Sequence, residues 1–305
     1  MNRSSVSIII LNWNGYDVTR ECLESLYQID HDNYHIVLVD NGSHDGSVEK
    51  IRAEFGDLKL DILDLKKNLG FTGGNNEGIV FAKEKYNSDY YLLLNNDTTV
   101  EPNFLTEMLK TFDNNPKCYA VVPKIYFSHA PNVIWFAGGK ISPVTGIVKH
   151  YGIDQQDTGK YDEGKTIEYM NGCCALISSA SIESVGVLDN IFFANTEDVD
   201  YSMRIIKSGH TIEYNPKAVI YHKFNHTFKS NRGKWLAFYL TARNKILLQK
   251  KHYSSMKLPV FYLVFGVRWV LYLTVKLTIS GDHKSVKAIY WGVNDGIRNR
   301  LRFVG

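Results

Sequence analysis

Over its first hundred positions the chain alternates between two hydrophobic rhythms. Predominantly apolar runs occupy Val6–Leu11, His35–Val39, Leu58–Leu63 and Tyr90–Leu94. Between them lie stretches with helical spacing, near Val18–Tyr27, Gly46–Glu54 and Gly73–Tyr86. Runs that leave no polar face are what strands covered on both sides require. Their alternation with amphipathic segments predicts an α/β fold built on a mostly parallel sheet.

The residues that end these runs are polar. The first closes with Asn12-Trp13-Asn14-Gly15, the second with Asp40-Asn41-Gly42-Ser43, and the run at Tyr90–Leu94 with Asn95-Asn96-Asp97. Open α/β sheets bind ligands outside the carboxyl ends of their strands, so three polar clusters are expected on one edge.

Beyond this point the rhythm weakens. From about Phe104 to Cys174 the density of Gly, Pro and aromatic residues predicts loops and antiparallel strands. Glu197–Gly209 reads as a helix capped by Asn195 or Thr196 and stopped at Gly209. Two short strands are expected around Pro216, at Thr211–Tyr214 and Ala218–Tyr221. Leu258–Ser280 is apolar enough to reach membrane-spanning length but holds Arg268 and Lys276. An interfacial helix suits it, and a helix packed on the globular body is the alternative.

Charge divides the chain at the same place. Residues 223–305 carry 16 Lys and Arg against two Asp and Glu, a balance of +14, whereas residues 1–222 balance at −11. A domain at 1–222 and a basic helical region at 223–305 follow from this asymmetry, the latter suited to an anionic membrane surface. Its basic residues interleave with aliphatics rather than stacking platforms, which argues against nucleic acid. With 44 % hydrophobic and 22 % charged residues, disorder is excluded. Four scattered cysteines without a C-x-x-C pair predict neither a disulfide framework nor a zinc site, and Met1–Leu11 does not read as a signal peptide, so a cytosolic setting is expected.

Five stretches together carry a family resemblance: Val6–Asn14, Val39-Asp40-Asn41-Gly42-Ser43, Asn68–Asn76, Leu94-Asn95-Asn96-Asp97 and Glu197-Asp198-Val199-Asp200. In this order the chain resembles the family 2 glycosyltransferases, inverting enzymes of the Rossmann-like GT-A fold that use nucleotide sugars, and within them the bacterial rhamnosyltransferase-like branch of surface-polysaccharide assembly. The resemblance implies a UDP- or dTDP-linked donor, dTDP-rhamnose among the candidates, and a saccharide or lipid-linked saccharide acceptor. It also implies an enzyme peripheral on the inner face of the cell membrane through its C-terminal region.

Glycosyl transfer leaves negative charge on a nucleoside diphosphate, which a divalent cation stabilises. Mg²⁺ or Mn²⁺ requires oxygen ligands, and Asp97 supplies one. The family's D-x-D reads Asn95-Asn96-Asp97 here, leaving one carboxylate. By resemblance His222 is a second metal ligand; His226 competes with it, and a structural role stays open. The resemblance gives Asp40 the base-binding role, with Asn12 and Asn14 lining the same pocket; a turn cap with Gly42 and Ser43 is the alternative. Gly70, Gly73, Gly74 and Asn75 belong to a loop expected to pass close to the nucleotide, and Asn95 and Asn96 are either donor-site or turn residues.

Asp198 is, by resemblance, the base that deprotonates the acceptor hydroxyl, with helix capping as the plainer reading. Glu197 is expected to face the acceptor, as are Gly172 and Cys173, while Asp200 and Arg204 have the spacing of an intrahelical ion pair. Trp135 and Phe136 could wall a sugar or belong to the core. A sugar nucleotidyltransferase or a non-catalytic nucleotide- or lipid-binding scaffold are the competing readings.

Overall fold

The computed structural model describes residues 4–56, 59–142, 147–223, 231–254, 256 and 258–302. His226 lies outside them, as does Leu58 at the start of the third apolar run.

The first half alternates as the pattern requires: β1 (Val6–Asn12), α1 (Tyr16–Leu26), β2 (Tyr34–Asp40), α2 (Ser47–Phe55), β3 (Leu60–Asp64), α3 (Gly70–Tyr86) and β4 (Tyr90–Asn95). These four strands are parallel, in the order β4-β1-β2-β3, and most side chains of β1, β2 and β4 are buried. Register brings the polar strand ends together: Asn12 lies opposite Asp40, and Leu11 opposite Asn95.

α3 begins at Gly70, three residues earlier than its spacing predicts. The glycines at its start serve packing. A Cβ on Gly74 would come within 2.3 Å of Leu11 Cδ1, and one on Gly78 within 2.6 Å of Ile9 Cγ2. Gly73 lies against Leu69, so the reading of Gly73 and Gly74 as open loop before the helix is corrected: they are helical residues that let α3 close on its surroundings.

The next stretch contains β5 (Thr98–Val100) and a helix, α4 (Phe104–Asn114), where strands and loops were expected. Phe104, Leu105 and Met108 bury its inner face. The expected antiparallel strands then follow: β6 (Cys118–Phe127), β7 (Ala130–Phe136), β8 (Gly139–Ile141), β9 (Val148–His150), β10 (Gln155–Gln156), β11 (Lys165–Ile167) and β12 (Cys174–Ser178). β12 inserts antiparallel between β4 and β6, which lays Cys173 and Cys174 against the end of β4.

After α5 (Ser179–Val185) comes α6 (Glu197–Lys207). Neither Asn195 nor Thr196 caps α6 through its side chain; Thr196 instead enters it with a left-handed backbone. The two short strands expected near Pro216 are one strand, β13 (Thr211–His222), with a register shift between Asn215 and Val219 where proline's missing N–H is tolerated.

The C-terminal region comprises α7 (Asn231–His252), α8 (Leu258–Phe265), a π-helical turn at Gly266–Leu271, α9 (Tyr272–Ile279) and α10 (His283–Arg298). Gly292 and Gly296 of α10 lie against the backbones of Tyr239 and Arg243, so α7 and α10 run side by side in the same direction. Phe261 and Phe265 pack with Ala242 and Ile246.

Candidate functional site

At the ends of β1 and β2 the polar side chains bond one another. Buried Asn12 donates through Nδ2 to Asp40 Oδ2 at 2.8 Å and accepts at Oδ1 from Thr19 Oγ1 at 3.0 Å and Asn96 Nδ2 at 3.3 Å. Asp40 Oδ1 accepts the Ser43 backbone N–H at 2.8 Å, the turn-capping contact. Asn14 Oδ1 accepts from the His44 backbone N–H at 2.8 Å. Gly42, at φ +78°, has the Lys67 backbone 2.8 Å from where a Cβ would stand, so only glycine fits there. A cleft of about 250 Å³ opens beside Asp40, with Gly42, Ser43, His44, Glu49, Asp64 and Lys66 in its wall; Asn12, Asn14, Asp97, His222 and Asp198 lie outside its lining.

Asn41 ties this edge to α3: its Oδ1 accepts from Leu69 N at 2.8 Å and its Nδ2 donates to the Gly70 carbonyl at 3.1 Å. Gly70, at φ +76°, leaves no room for a Cβ beside the Phe193 carbonyl. Asn75 is buried and donates to the Phe71 carbonyl at 2.8 Å. At the end of β4, Asn95 donates its backbone N–H to the Cys173 carbonyl at 2.8 Å, and Asn96 reaches back to Thr19 Oγ1 at 2.8 Å.

One residue further on the chemistry changes. Asp97 Oδ1 and His222 Nε2 face each other 3.1 Å apart, both side chains largely buried. Burial works against a charged imidazole, but the Cys173 sulfur and the Asp97 carboxylate outweigh it and hold His222 at about 10. Burial pushes the Cys173 thiol up, and the neighbouring His222 opposes that rise. Two cis ligands about 2.1 Å from an octahedral cation stand about 3 Å apart, so the spacing of this pair fits a Mg²⁺- or Mn²⁺-sized ion, which would displace the imidazole proton on binding. Among the described residues no group of three or more His, Cys, Asp or Glu could hold a metal, so a cation here would complete its shell from a ligand and water.

Asp198 sits in the first turn of α6. Its Oδ2 accepts the Tyr169 hydroxyl at 2.6 Å and the Gly172 N–H at 3.3 Å, and its Oδ1 accepts the Val199 N–H at 2.8 Å. Burial raises its pKa, and these bonds oppose the rise. Glu197 beside it is buried with Oε2 unpartnered, and burial plus the Asp198 charge push its pKa well above the carboxylate range. Both carboxyls are thus pushed up, Glu197 with nothing but its own backbone to oppose the rise and Asp198 with three hydrogen bonds opposing it. Asp200 is the structural member: Arg204 Nε at 2.9 Å, Lys251 at 2.7 Å and His252 at 2.7 Å surround it.

Two routes join Asp97 and Asp198. Gly172 bonds Asp198, and its neighbour Cys173 lies beside His222. On the other side, Trp135 lies edge-on to His222 at 4.6 Å and to His150 at 5.6 Å, and His150 stacks on Tyr169 at 5.5 Å. Trp135 and Phe136 are buried, so core packing accounts for them, although Trp135 also faces the site. Tyr169, His150 and Thr19 were not singled out from the sequence. Tyr169 and His150 lie in a stretch without clear periodicity, and Thr19 is one polar residue within a predicted helix.

The segment entering α6 is strained. Phe193, Asn195 and Thr196 have φ of 59°, 66° and 84°, and such residues cost about 1–3 kcal/mol each. Asn244 of α7 spans them, donating through Nδ2 to the carbonyls of Phe192, Ala194 and Asn195 at 2.9, 2.9 and 2.6 Å.

The Asp97–His222 pair thus stands at the carboxyl edge of a mixed α/β sheet, with the acidic first turn of α6 bonded to Gly172 nearby. The family model described as Glycosyl transferase family 2 matches residues 7–186, and the chain belongs to that family and is a glycosyltransferase. It is 23 % identical over 296 residues to the low-salt glycan biosynthesis hexosyltransferase Agl10 of Haloferax volcanii, covering 97 % of this chain and 92 % of the relative. It is 23 % identical over 219 residues to a poly-beta-1,6-N-acetyl-D-glucosamine synthase of Staphylococcus epidermidis, covering 70 % of this chain but only 48 % of the relative, so the chain spans about half of that synthase. Among solved structures, GalNAc-T7 with UDP, GalNAc and Mn²⁺ superposes with a TM-score of 0.67 at 15 % identity, over 86 % of this chain and 50 % of its own. The mannosyltransferase PcManGT from Pyrobaculum calidifontis, in complex with GDP-Man and Mn²⁺, superposes at 0.56 and 13 % identity, over 98 % and 74 %. Both likenesses establish the GT-A fold.

Proposed function

We propose that this glycosyltransferase transfers a hexosyl residue, with inversion, from a nucleotide sugar to a saccharide or lipid-linked saccharide at a membrane face. The observation that carries the reading is the Gly172-Cys173 dipeptide: Gly172 bonds Asp198, and Cys173 lies beside His222. It gives a cation-binding pair and the partly buried Asp198 carboxylate one shared wall.

Asp97 and His222 would hold the divalent cation, which when bound neutralises charge on the departing diphosphate. Asp40, with the cleft beside it, would hold the base; its remaining lone pairs can accept the N3–H of uracil or thymine. Asp198 accepts the acceptor hydroxyl's proton as that oxygen bonds the anomeric carbon, and the breaking bond's electrons leave with the nucleoside diphosphate. Glu197 beside it, whose carboxyl burial pushes well above the usual range, can donate to an acceptor oxygen in its protonated form. Relatives that handle hexosyl and N-acetylglucosamine chains, and neighbours holding UDP or GDP-Man with Mn²⁺, support a nucleotide-sugar donor with a metal. Within that class we propose a UDP or dTDP sugar, with dTDP-rhamnose the first to try.

The membrane reading rests on α8 and α9. Leu263, Val267, Leu271, Val275 and Ile279 recur at four-residue spacing and are all more than half exposed. The π turn between the two helices widens the winding and so keeps this stripe on one side. Only 11 % of the most apolar part of this helix is buried, and Arg268 and Lys276 favour lying in the interface over crossing it. Titrating a panel of nucleotide sugars with Mn²⁺ and following hydrolysis and thermal stabilisation tests the function. Stabilisation by one donor and its metal-dependent turnover are expected; absence of all nucleotide binding would leave the scaffold reading.

A further inference from the structure

The helix α7 opens the basic region that the sequence sets apart, yet two of its buried polar side chains, Arg243 and Asn244, reach the catalytic side of the molecule. Asn244 is fully buried, and its amide gathers three carbonyls, those of Phe192, Ala194 and Asn195. Arg243, also buried, fixes the orientation of that amide by donating to Asn244 Oδ1 at 2.7 Å, and donates to the Ile191 carbonyl at 2.7 Å. Lys251 and His252, two turns on, hold Asp200 within α6 itself.

The same segment meets the donor side. The Phe193 carbonyl accepts the Thr72 N–H at 3.0 Å in the first turn of α3, and Gly70 is packed against it. Residues 191–196 thus run between α3 and α7 and deliver the chain, through three left-handed non-glycine residues, to Asp198 two positions later. A backbone in that conformation persists only where its surroundings over-determine it. Amide donors aimed at its carbonyls provide that constraint, and α7 supplies them.

We propose that Asn244, oriented by Arg243, is a positioning residue for the reaction: it holds the strained 191–196 segment so that Asp198 stays against Tyr169 and Gly172, facing the acceptor. The C-terminal region is then part of the catalytic apparatus as well as a surface-binding element. The inference rests on the reading of Asp198 as the base.

The test compares three variants of the full chain with wild type in steady-state turnover, donor KM and thermal unfolding. Asn244→Asp keeps size and shape but turns the donors into a carboxylate facing carbonyls; turnover should fall roughly 100-fold, the scale of a small misplacement, with donor KM nearly unchanged. Arg243→Lys keeps the charge and loses the fork, and should lower turnover roughly tenfold. Ile246→Ala, on the α8- and α10-facing side of α7, should lose comparable thermal stability while keeping near wild-type turnover. Wild-type turnover in Asn244→Asp, or equal loss of turnover in Ile246→Ala at matched stability, overturns the proposal. Should Asn244→Asp fail to fold, Arg243→Lys against Ile246→Ala decides by the same criterion. Asp198→Asn separates the two readings: if it is inactive while Asn244→Asp is not, the base stands and the positioning role falls; if it is active, the base itself is wrong.

Discussion

The two halves of the carboxyl edge differ in how their polar atoms are satisfied. At the ends of β1 and β2, Asn12, Asp40, Ser43, Thr19 and Asn96 bond one another in a closed network. Across the edge, Asp97 and Asp198 are partly buried carboxyls and Glu197 is a buried one with Oε2 unpartnered, and burial raises the pKa of both Glu197 and Asp198. Buried polar groups are normally fully bonded, so the first region is what a rigid frame requires, and the proposed chemistry falls to the second. Substitutions in the two regions should therefore fail differently: the first in stability, the second in rate.

The largest effect is expected at Asp198. Asp198→Asn preserves shape and removes the proton acceptor, so turnover should fall by about 10²–10⁴ while nucleotide affinity, read by calorimetry, is retained. Retained turnover would falsify its role as the base. Next comes the ligand pair. His222→Ala should raise the Mn²⁺ concentration for half-maximal turnover by about one to two orders of magnitude. An unchanged Mn²⁺ dependence would take His222 out of the metal site.

Tyr169→Phe sharpens the contrast through pH. Burial raises the pKa of Asp198, and the Tyr169 hydroxyl, the foremost of the bonds that oppose it, holds that rise back. The base works deprotonated, so activity is lost as pH falls through its pKa. Without the hydroxyl that pKa rises further, and the acid limb of kcat/KM should move to higher pH. If the limb moves by about one pH unit, activity at a fixed pH on the acid side falls by about tenfold. A limb that stays in place, or moves to lower pH, would remove Tyr169 from control of the base.

How far the sequence carries this picture depends on the range of the contacts. The parallel strands, their polar ends and the acidic helix are legible, because each is a local pattern of a few residues. Asp200 with Arg204 is legible for the same reason, as an i,i+4 pair. The partners of Asp198 and of the segment before it are not: Tyr169 lies 29 residues from Asp198, and Asn244 lies 50 from Ala194. α4 escapes a pattern reading because its apolar positions sit in a stretch dominated by aromatic and Gly/Pro signals. The first turn of α3 escapes it because a cluster of glycines signals a ligand loop, whereas Gly74 and Gly78 make room for Leu11 and Ile9.

In the closed network the expected cost is moderate. Asn12→Ala would leave the buried Asp40 oxygen, Thr19 and Asn96 short of a partner, a loss of about 1–3 kcal/mol in urea unfolding, with turnover reduced far less than in Asp198→Asn. If Asn12→Ala were as stable as wild type but inactive, the frame and the chemistry would not divide as argued.

The smallest effect on stability belongs to the apolar stripe of α8 and α9. Leu263 and Ile279 are 69 % and 82 % exposed, so replacing both with Ser removes little packing and should change unfolding by no more than about 0.5 kcal/mol. The same pair should matter at a lipid surface, where each apolar side chain that enters the interface adds to binding and the basic region adds attraction to anionic headgroups. In co-sedimentation with phosphatidylglycerol-containing vesicles, wild type should bind and the double variant should bind several-fold more weakly, at unchanged turnover on a soluble acceptor. Equal vesicle binding by both chains would mean the stripe is not what meets the membrane. A large loss of stability would mean it is covered by protein, and in either case the division of labour between a sheet that does the chemistry and a helix that finds the surface would have to be redrawn.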